Sequence, residues 1–183
     1  MMRIKVLAVA LAVLVFTGCG STASRPSTAA LPNYEGWQNA VKRATNPAIP
    51  WLQQRIAKGG AKLAVVLDID NTSLETHYHP GAPNKPVLAV ANWAHEHQVS
   101  VLFVTLRGEA NRENTTDQLT KAGYRVDALC MKTTGKGTKP RCRQKLTDDG
   151  YTITANIGNR GTDMRGGNYE KKFQLPDYNG ALA

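Results

Sequence analysis

The chain has 183 residues, of which 42% are hydrophobic and 20% charged, and its formal net charge is +9. This length predicts one domain with a sizeable core, and the composition excludes an intrinsically disordered chain, a collagen-like repeat and a coiled coil. The basic residues are scattered, and no basic run carries aromatic residues between its charges, so we expect no nucleic-acid binding.

Residues 1–18 have the pattern of a secretory signal peptide. Two basic residues precede the apolar run Val6–Phe16, which is too short to span a bilayer as a mature helix. The small residues that follow end at Cys19, and this segment resembles the bacterial lipoprotein box, although Leu is more usual where Phe16 stands. The resemblance implies a lipid on Cys19 and an extracytoplasmic protein anchored to the bacterial cell membrane. Secretion without an anchor is the alternative.

The next part of the chain divides into a tether and a domain. Residues 19–32 are rich in Ser, Thr, Ala and Pro and show no apolar periodicity, which predicts a flexible tether before a domain of residues 33–183. Apolar residues then recur at helical spacing from residue 34 to residue 58, and Pro47 and Pro50 interrupt this pattern. We therefore expect two helices that pack on the core or form a small cap region.

A buried strand followed by two acids is the central motif. Leu63–Leu67 is a continuous apolar run, as expected of a strand that is covered on both faces. Asp68 and Asp70 follow at alternating positions, which places both side chains on the same side, at the carboxyl end where open α/β sheets have their chemistry. Neighbouring carboxylates repel each other unless one is protonated or a cation lies between them, and Mg²⁺ prefers such oxygen ligands.

The segment Asp68-Ile69-Asp70-Asn71-Thr72 resembles the first motif of the haloacid dehalogenase (HAD) superfamily. In those phosphatases the first Asp is the nucleophile, and the second is the general acid and base whose backbone carbonyl also contacts Mg²⁺. The resemblance implies these roles for Asp68 and Asp70. An ordinary strand end with solvated acids is the alternative, because short motifs also match by accident.

A second predicted strand, Val99–Thr105, leads into Leu106-Arg107-Gly108-Glu109. This segment resembles the acid phosphatase branch of the superfamily, which includes bacterial class B and class C acid phosphatases and plant vegetative storage proteins. The resemblance implies that Thr105 binds the transferring phosphoryl group through its hydroxyl and nearby backbone N–H groups. Arg107 either orients the phosphate or pairs with Glu109, and the sequence leaves both possibilities open.

A lysine of the third motif is expected in the basic loop that follows a third strand at residues 126–131. Three lysines compete in this loop, residues 132–141. In the resembling family the phosphate-holding Lys precedes the Gly of a Gly-Tyr pair by eleven residues, and counting back from Gly150-Tyr151 identifies Lys139. A fixed cation at this place would hold the nucleophile and the phosphate together. Arg143 also matches an Arg of the family in this stretch.

A fourth predicted strand, residues 151–157, is followed by a motif that departs from the family pattern. The superfamily has Gly-Asp-x-x-x-Asp here, whose acids complete the Mg²⁺ site. Gly158 and Asp163 match, whereas Asn159 stands where an Asp is expected. An amide oxygen can ligate a hard cation but carries no charge. We therefore expect weaker Mg²⁺ binding that depends more strongly on Asp163; loss of activity is the alternative.

Two further predictions concern a loop and a pair of cysteines. Superfamily members often insert a small cap just after the nucleophile, and this resemblance implies that His77, Tyr78 and His79 face the substrate; exposed loop histidines are the alternative. If Cys19 is lipidated, Cys130 and Cys142 are left as a pair in an oxidising compartment, where a disulfide is plausible. Two free thiols are the alternative, since the sequence gives no Cα–Cα distance.

The four motifs, each at the end of a predicted strand, imply a Rossmann-like three-layer α/β/α sandwich with a parallel sheet. The strand from Leu63 should lie centrally, between the strands that end at Thr105 and Ile157. The expected function is that of an extracytoplasmic, Mg²⁺-dependent acid phosphatase that hydrolyses small phosphomonoesters through a phospho-aspartate. A catalytically weak or inactive binding or storage protein on the same fold is the alternative, suggested by Asn159.

Overall fold

The structure, a computed structural model, describes residues 31–135 and 137–182. The predicted signal peptide, Cys19 and most of the predicted tether lie outside the described residues. Among the helices that are described, none is long and apolar enough to cross a membrane.

The described residues form five helices and five strands, which alternate from the second helix to the fourth strand. The helices are α1 (Tyr34–Thr45), α2 (Ala48–Ile56), α3 (Lys85–Glu96), α4 (Arg112–Lys121) and α5 (Thr138–Asp148). The strands are β1 (Leu63–Leu67), β2 (Ser100–Gly108), β3 (Ala128–Lys132), β4 (Thr152–Gly158) and β5 (Lys171–Gln174), and a 3-10 turn, Glu109–Asn111, directly precedes α4.

All five strands run parallel in the order β3-β2-β1-β4-β5, so β1 occupies the centre of the sheet as predicted. Side chains of β1 alternate between two cores, because successive residues of a strand point to opposite faces. Leu63, Val65 and Leu67 belong to a core covered by α1–α4, whereas Ala64 and Val66 belong to a core covered by α5. The predicted three-layer α/β fold is thus confirmed.

The first two helices pack on the core. Trp37, Val41 and Leu52 are completely buried there. The side chain of Asn33 accepts a hydrogen bond from the backbone N–H of Gly36 at 2.9 Å and caps the start of α1. Of the two prolines expected to separate the helices, only Pro47 lies between them. Pro50 lies in the first turn of α2, where backbone N–H groups make no intrahelical hydrogen bond, so the helix loses none by having a proline there.

Helix α5 is the main element that the sequence pattern did not indicate, because residues 132–141 were expected to be a loop. The helix begins at Thr138, directly after Gly137, whose φ of +74° favours glycine. Cys142 of α5 and Cys130 of β3 form a disulfide, with a Cα–Cα distance of 5.7 Å. Since Lys139 lies in the first turn of α5, this covalent link ties the helix that carries Lys139 to the sheet.

Candidate active site

A cavity of about 320 Å³ lies at the carboxyl ends of the central strands. Four expected site residues line it together with four others: Asp68, Asp70, Thr76, Thr105, Leu106, Lys139, Arg160 and Leu182. Larger cavities, one between α1 and α3 and one along α4, are lined by no buried charged side chain. The cavity at the strand ends is therefore the place where charged chemistry is concentrated.

A buried cation joins two buried carboxylates at the bottom of this cavity. The Nζ atom of Lys139 donates to Oδ1 of Asp68 at 2.5 Å and also to the carboxylate of Asp163. Burial raises the pKa of Asp68 to about 6. The positive charge of Lys139 opposes this rise, whereas the negative charge of Asp163 adds to it. Burial alone would lower the pKa of Lys139, but the two carboxylates raise it, so the ammonium stays charged.

Backbone and side-chain contacts fix the two acids of this cluster. Ser73 Oγ donates to the backbone carbonyl of Asp68 at 2.6 Å, and Oδ2 of Asp163 accepts the backbone N–H of Arg160 at 2.9 Å. A Cβ atom at Gly158 would lie 2.5 Å from the Cβ of Asp163, so only glycine allows this approach. Arg143, which is fully buried, donates to the carbonyl of Asp163 at 2.9 Å and thus holds the loop that carries this acid.

Asp70 lies in a different environment from Asp68. Its side chain is 42% exposed, and the guanidinium of Arg107 binds both carboxylate oxygens, through Nη2 at 2.7 Å and Nε at 3.1 and 3.2 Å. Gln118 accepts from Nη1 of Arg107 at 2.8 Å and orients the guanidinium. The expected alternative of an Arg107–Glu109 pair is wrong, because Glu109 binds Arg112 instead.

Thr105 is buried directly beside this pair. Its hydroxyl accepts the backbone N–H of Arg107 at 3.1 Å, and the residue lines the cavity. The hydroxyl of Thr105 and the carboxylate of Asp68 therefore belong to residues that line the same cavity.

Asn159 reaches the cluster only indirectly. Its Oδ1 lies 3.3 Å from the hydroxyl of Thr72, which in turn lies 3.2 Å from Oδ2 of Asp68. Its Nδ2 donates to the backbone carbonyl of Leu182 at 3.0 Å. Within residues 31–135 and 137–182, no three Asp, Glu, His or Cys side chains form a ready-made metal cluster. The neutral Asn159 adds no carboxylate to the buried pair Asp68 and Asp163.

The prediction for the loop after β1 needs correction. The ring of Tyr78 stacks on Trp37 at a centroid distance of 5.0 Å, and its hydroxyl donates to the carbonyl of Pro32 at 2.5 Å. His79 lies 2.9 Å from Glu75 and packs edge-on against Tyr34, and His77 packs edge-on against Tyr78. None of the three lines the cavity, because this loop is held against α1; Thr76 is the loop residue that does.

Several cavity residues were not predicted from the sequence. Leu106 and Arg160 immediately follow Thr105 and Asn159, so the rule that strand ends carry the site could have found them. Leu106 is 48% exposed, unlike every other large hydrophobic side chain in the described part of the chain. Leu182 comes from a distant segment and carries no local signal.

Comparison with known proteins identifies the class to which this site belongs. A sequence model of the HAD superfamily, subfamily IIIB (Acid phosphatase), matches residues 79–181. The chain belongs to this acid phosphatase family, and it is therefore a hydrolase of small phosphomonoesters. Phosphatases of the superfamily generally use a divalent metal ion. No curated protein matches the chain.

Solved structures agree with the fold. The class C acid phosphatase from Bacillus anthracis superposes with a TM-score of 0.63 at 16% identity, covering 81% of this chain and 83% of that one. The same enzyme with tungstate bound gives a TM-score of 0.62 at 16% identity, with the same coverage of both chains. The family match begins after Asp68 and Asp70, so the roles of these two acids depend on their geometry and on the motif that they form.

Proposed function

We propose that this protein is an extracytoplasmic, Mg²⁺-dependent acid phosphatase that forms a phospho-aspartate on Asp68. The observation that carries the proposal is the Asp68–Lys139–Asp163 cluster, which lies next to Thr105 at the carboxyl ends of β1, β2 and β4. A phosphoryl group needs a nucleophile, a fixed cation and hydrogen-bond donors at its equatorial oxygens, and this arrangement supplies all three.

The two acids of the first motif are suited to different steps. Asp68, which is buried and fixed by Ser73, attacks the phosphorus while the ester oxygen leaves. Asp70, which is half-exposed at the cavity, donates a proton to the departing oxygen and afterwards takes one from the water that hydrolyses the phospho-aspartate. Arg107 orients the Asp70 carboxylate, and Thr105 and Lys139 hold the phosphoryl oxygens.

The donor set fits a hard divalent cation. Asp68 and Asp163 are two buried carboxylates that share one ammonium, which leaves a net negative charge in a buried site when both acids are ionised. These two side chains would hold Mg²⁺, with the backbone carbonyl of Asp70 as the resemblance implies. The ion would offset the repulsion between an anionic nucleophile and an anionic ester. Asn159 adds no charge, so an unchanged Mg²⁺ affinity in Asn159→Asp would contradict our expectation of a weakened site.

A catalytically weak binding or storage protein is the second candidate. The side chain of Asn159 is engaged by Thr72 and Leu182, which favours this candidate because the amide has little freedom to serve a metal ion. The intact Asp68–Lys139–Asp163 cluster favours the enzyme.

Hydrolysis of an aryl phosphate at mildly acidic pH, with Mg²⁺ and then with chelator, tests the proposal. We expect turnover that requires the ion and disappears in Asp68→Asn. Asp117→Asn is the matched control, because Asp117 is exposed on α4, pairs with Lys121 and does not line the cavity. Retained turnover in Asp68→Asn would exclude Asp68 as the nucleophile, and absent turnover in the folded wild-type protein would favour the binding protein.

The location is proposed from the first 19 residues. Their pattern supports export and a diacylglyceryl anchor on Cys19. Cys19→Ser should move the protein from the membrane fraction to the soluble extracytoplasmic fraction. Membrane association that survives this substitution would contradict the anchor.

A further inference from the structure

A short turn-rich segment, Asp177–Leu182, lies against the cavity. The N–H groups of Gly180 and Leu182 both donate to the carbonyl of Asp177, at 3.1 and 3.2 Å, which closes the segment into a compact turn. Leu182 is buried in the core that α1–α4 cover, and it also lines the cavity. This segment therefore forms part of the edge around the reacting groups.

Two side-chain amides hold this segment from the opposite side. Nδ2 of Asn71 donates to the carbonyl of Leu182 at 3.2 Å, and Nδ2 of Asn159 donates to the same carbonyl at 3.0 Å. Both asparagines are buried. Their amide oxygens have other partners: Oδ1 of Asn71 accepts the backbone N–H groups of Thr76 and His77 at 3.0 Å each. The nitrogen of Asn71 must therefore point to Leu182.

A carboxylate could not replace either amide at this contact. An ionised aspartate has only acceptor oxygens, so the substitutions Asn71→Asp and Asn159→Asp would each set a negative oxygen against the Leu182 carbonyl at a buried contact. This gives a physical reason why a neutral donor stands at position 159, where the family pattern has an acid.

We propose that Asn71 and Asn159 are positioning residues that hold the Leu182 carbonyl and so keep the Asp177–Leu182 segment as one side of the active site. In this place the segment limits the room for the leaving group of the ester. The kinetic part of this inference rests on the proposed phosphatase function, whereas the structural part does not.

Amide hydrogen exchange tests the structural part in the presence of chelator, so that neither turnover nor bound metal is needed. We expect Asn71→Asp and Asn159→Asp each to accelerate exchange of the Gly180 and Leu182 amides by about tenfold, the effect of losing one buried hydrogen bond. Asn179→Asp is the matched control, because it places the same charge on the segment itself from an exposed side chain. Exchange that is unchanged in both variants, or equally fast in the control, would overturn the proposal.

A comparison of two esters tests the effect on the active site. Both asparagines lie near the phosphoryl site, so a new carboxylate there changes the local charge and, at position 159, the binding of Mg²⁺; either effect acts on turnover of every phosphomonoester. The ratio of kcat/KM for naphthyl phosphate to that for ethyl phosphate cancels this common effect. We expect the ratio to rise by about tenfold in both variants, chiefly through KM, because a displaced segment leaves more room for the larger group.

The two measurements distinguish a failure of this inference from a failure of the proposed phosphatase function. If exchange accelerates but the ratio stays at the wild-type value, the segment does not limit the leaving group, and the positioning role is refuted. If the wild-type protein has no phosphatase activity, the proposed function fails, and the exchange data still decide whether the asparagines hold the segment. Because Asn71 lies close to Asp68, Asn159→Asp provides an independent answer if Asn71→Asp does not fold.

Discussion

Removal of the buried ammonium is the perturbation that tests the site most directly. Lys139→Met keeps an unbranched side chain that is one atom shorter, removes the ammonium, and leaves Asp68 and Asp163 without a cation. With an effective dielectric constant of about 20, a pair of unit charges at the observed 2.5 Å is worth about 7 kcal/mol, and the cost of burying both charges offsets much of this. Loss of one partner of a buried pair costs about 3–5 kcal/mol, because the other charge stays buried.

Urea unfolding at neutral pH, in chelator and then in Mg²⁺, measures this effect. In chelator we expect the free energy of unfolding of Lys139→Met to fall by about 3–5 kcal/mol. Mg²⁺ should restore more stability to the variant than to the wild type, because the two carboxylates then lack a competing ammonium. At pH below 5 the loss in chelator should shrink, since burial raises the pKa of Asp68 to about 6 and the protonated acid needs no cation. Turnover should nevertheless fall.

Lys145→Met is the matched control. Lys145 lies on the same helix, its side chain is 68% exposed and it pairs with Asp149, so its loss should change stability by less than about 1 kcal/mol. Equal destabilisation of the Lys139 variant in chelator and in Mg²⁺ would refute the reasoning, because it would mean that Asp68 and Asp163 do not bind Mg²⁺. An unchanged stability in chelator would refute it as well.

Three further predictions concern the same region. Burial raises the pKa of Asp68 to about 6, above the ordinary value of 3.8, so between these values the native state binds a proton that the unfolded state does not. The metal-free protein should therefore lose up to about 3 kcal/mol of stability as the pH rises from 4 to 6, and urea unfolding of Asp68→Asn should lack this slope. Arg107→Lys removes the two-pronged contact with Asp70 and should lower kcat by about tenfold with little change in KM, whereas a KM effect would indicate that Arg107 binds the phosphate. Replacing Cys130 and Cys142 together by Ser should lower the free energy of unfolding by about 3 kcal/mol, and an unchanged urea midpoint would show that the thiols are not paired in solution.

The parts of the fold that could be predicted are those with a local signal. The alternation of Leu63–Leu67 between two cores follows from a strand period of two, and an uninterrupted apolar run indicates that both faces are covered. Because parallel strands place their carboxyl ends at one edge, polar residues after three such runs indicate where the site lies. Asp68, Thr105 and Lys139 were found in this way or through the family spacing.

Helix α5 and the Leu182 contact lacked such a signal. Most side chains of α5 are polar, and its inner face consists chiefly of Cys142 and Leu146, so the apolar periodicity is weak and tertiary packing with the disulfide fixes the helix. The hydrogen bond between Asn71 and Leu182 joins residues 111 positions apart. Contacts between residues so far apart in the sequence depend on the complete fold, so no short stretch of sequence predicts them.

The first motif, which contains Asp68 and Asp70, shows what a sequence pattern can and cannot indicate about a mechanism. Asp68 and Asp70 are the same residue type two positions apart, and a period of two treats them as equivalent. The structure separates them: one is buried against an ammonium, and the other is half-exposed and held by a guanidinium that Gln118 orients. A buried, fixed carboxylate can attack but cannot easily exchange protons with water, whereas an exposed one can. The proposed division between nucleophile and proton donor therefore depends on the packing around the motif. Lys139, in the first turn of α5, contacts Asp68, and Arg107, near the end of β2, contacts Asp70.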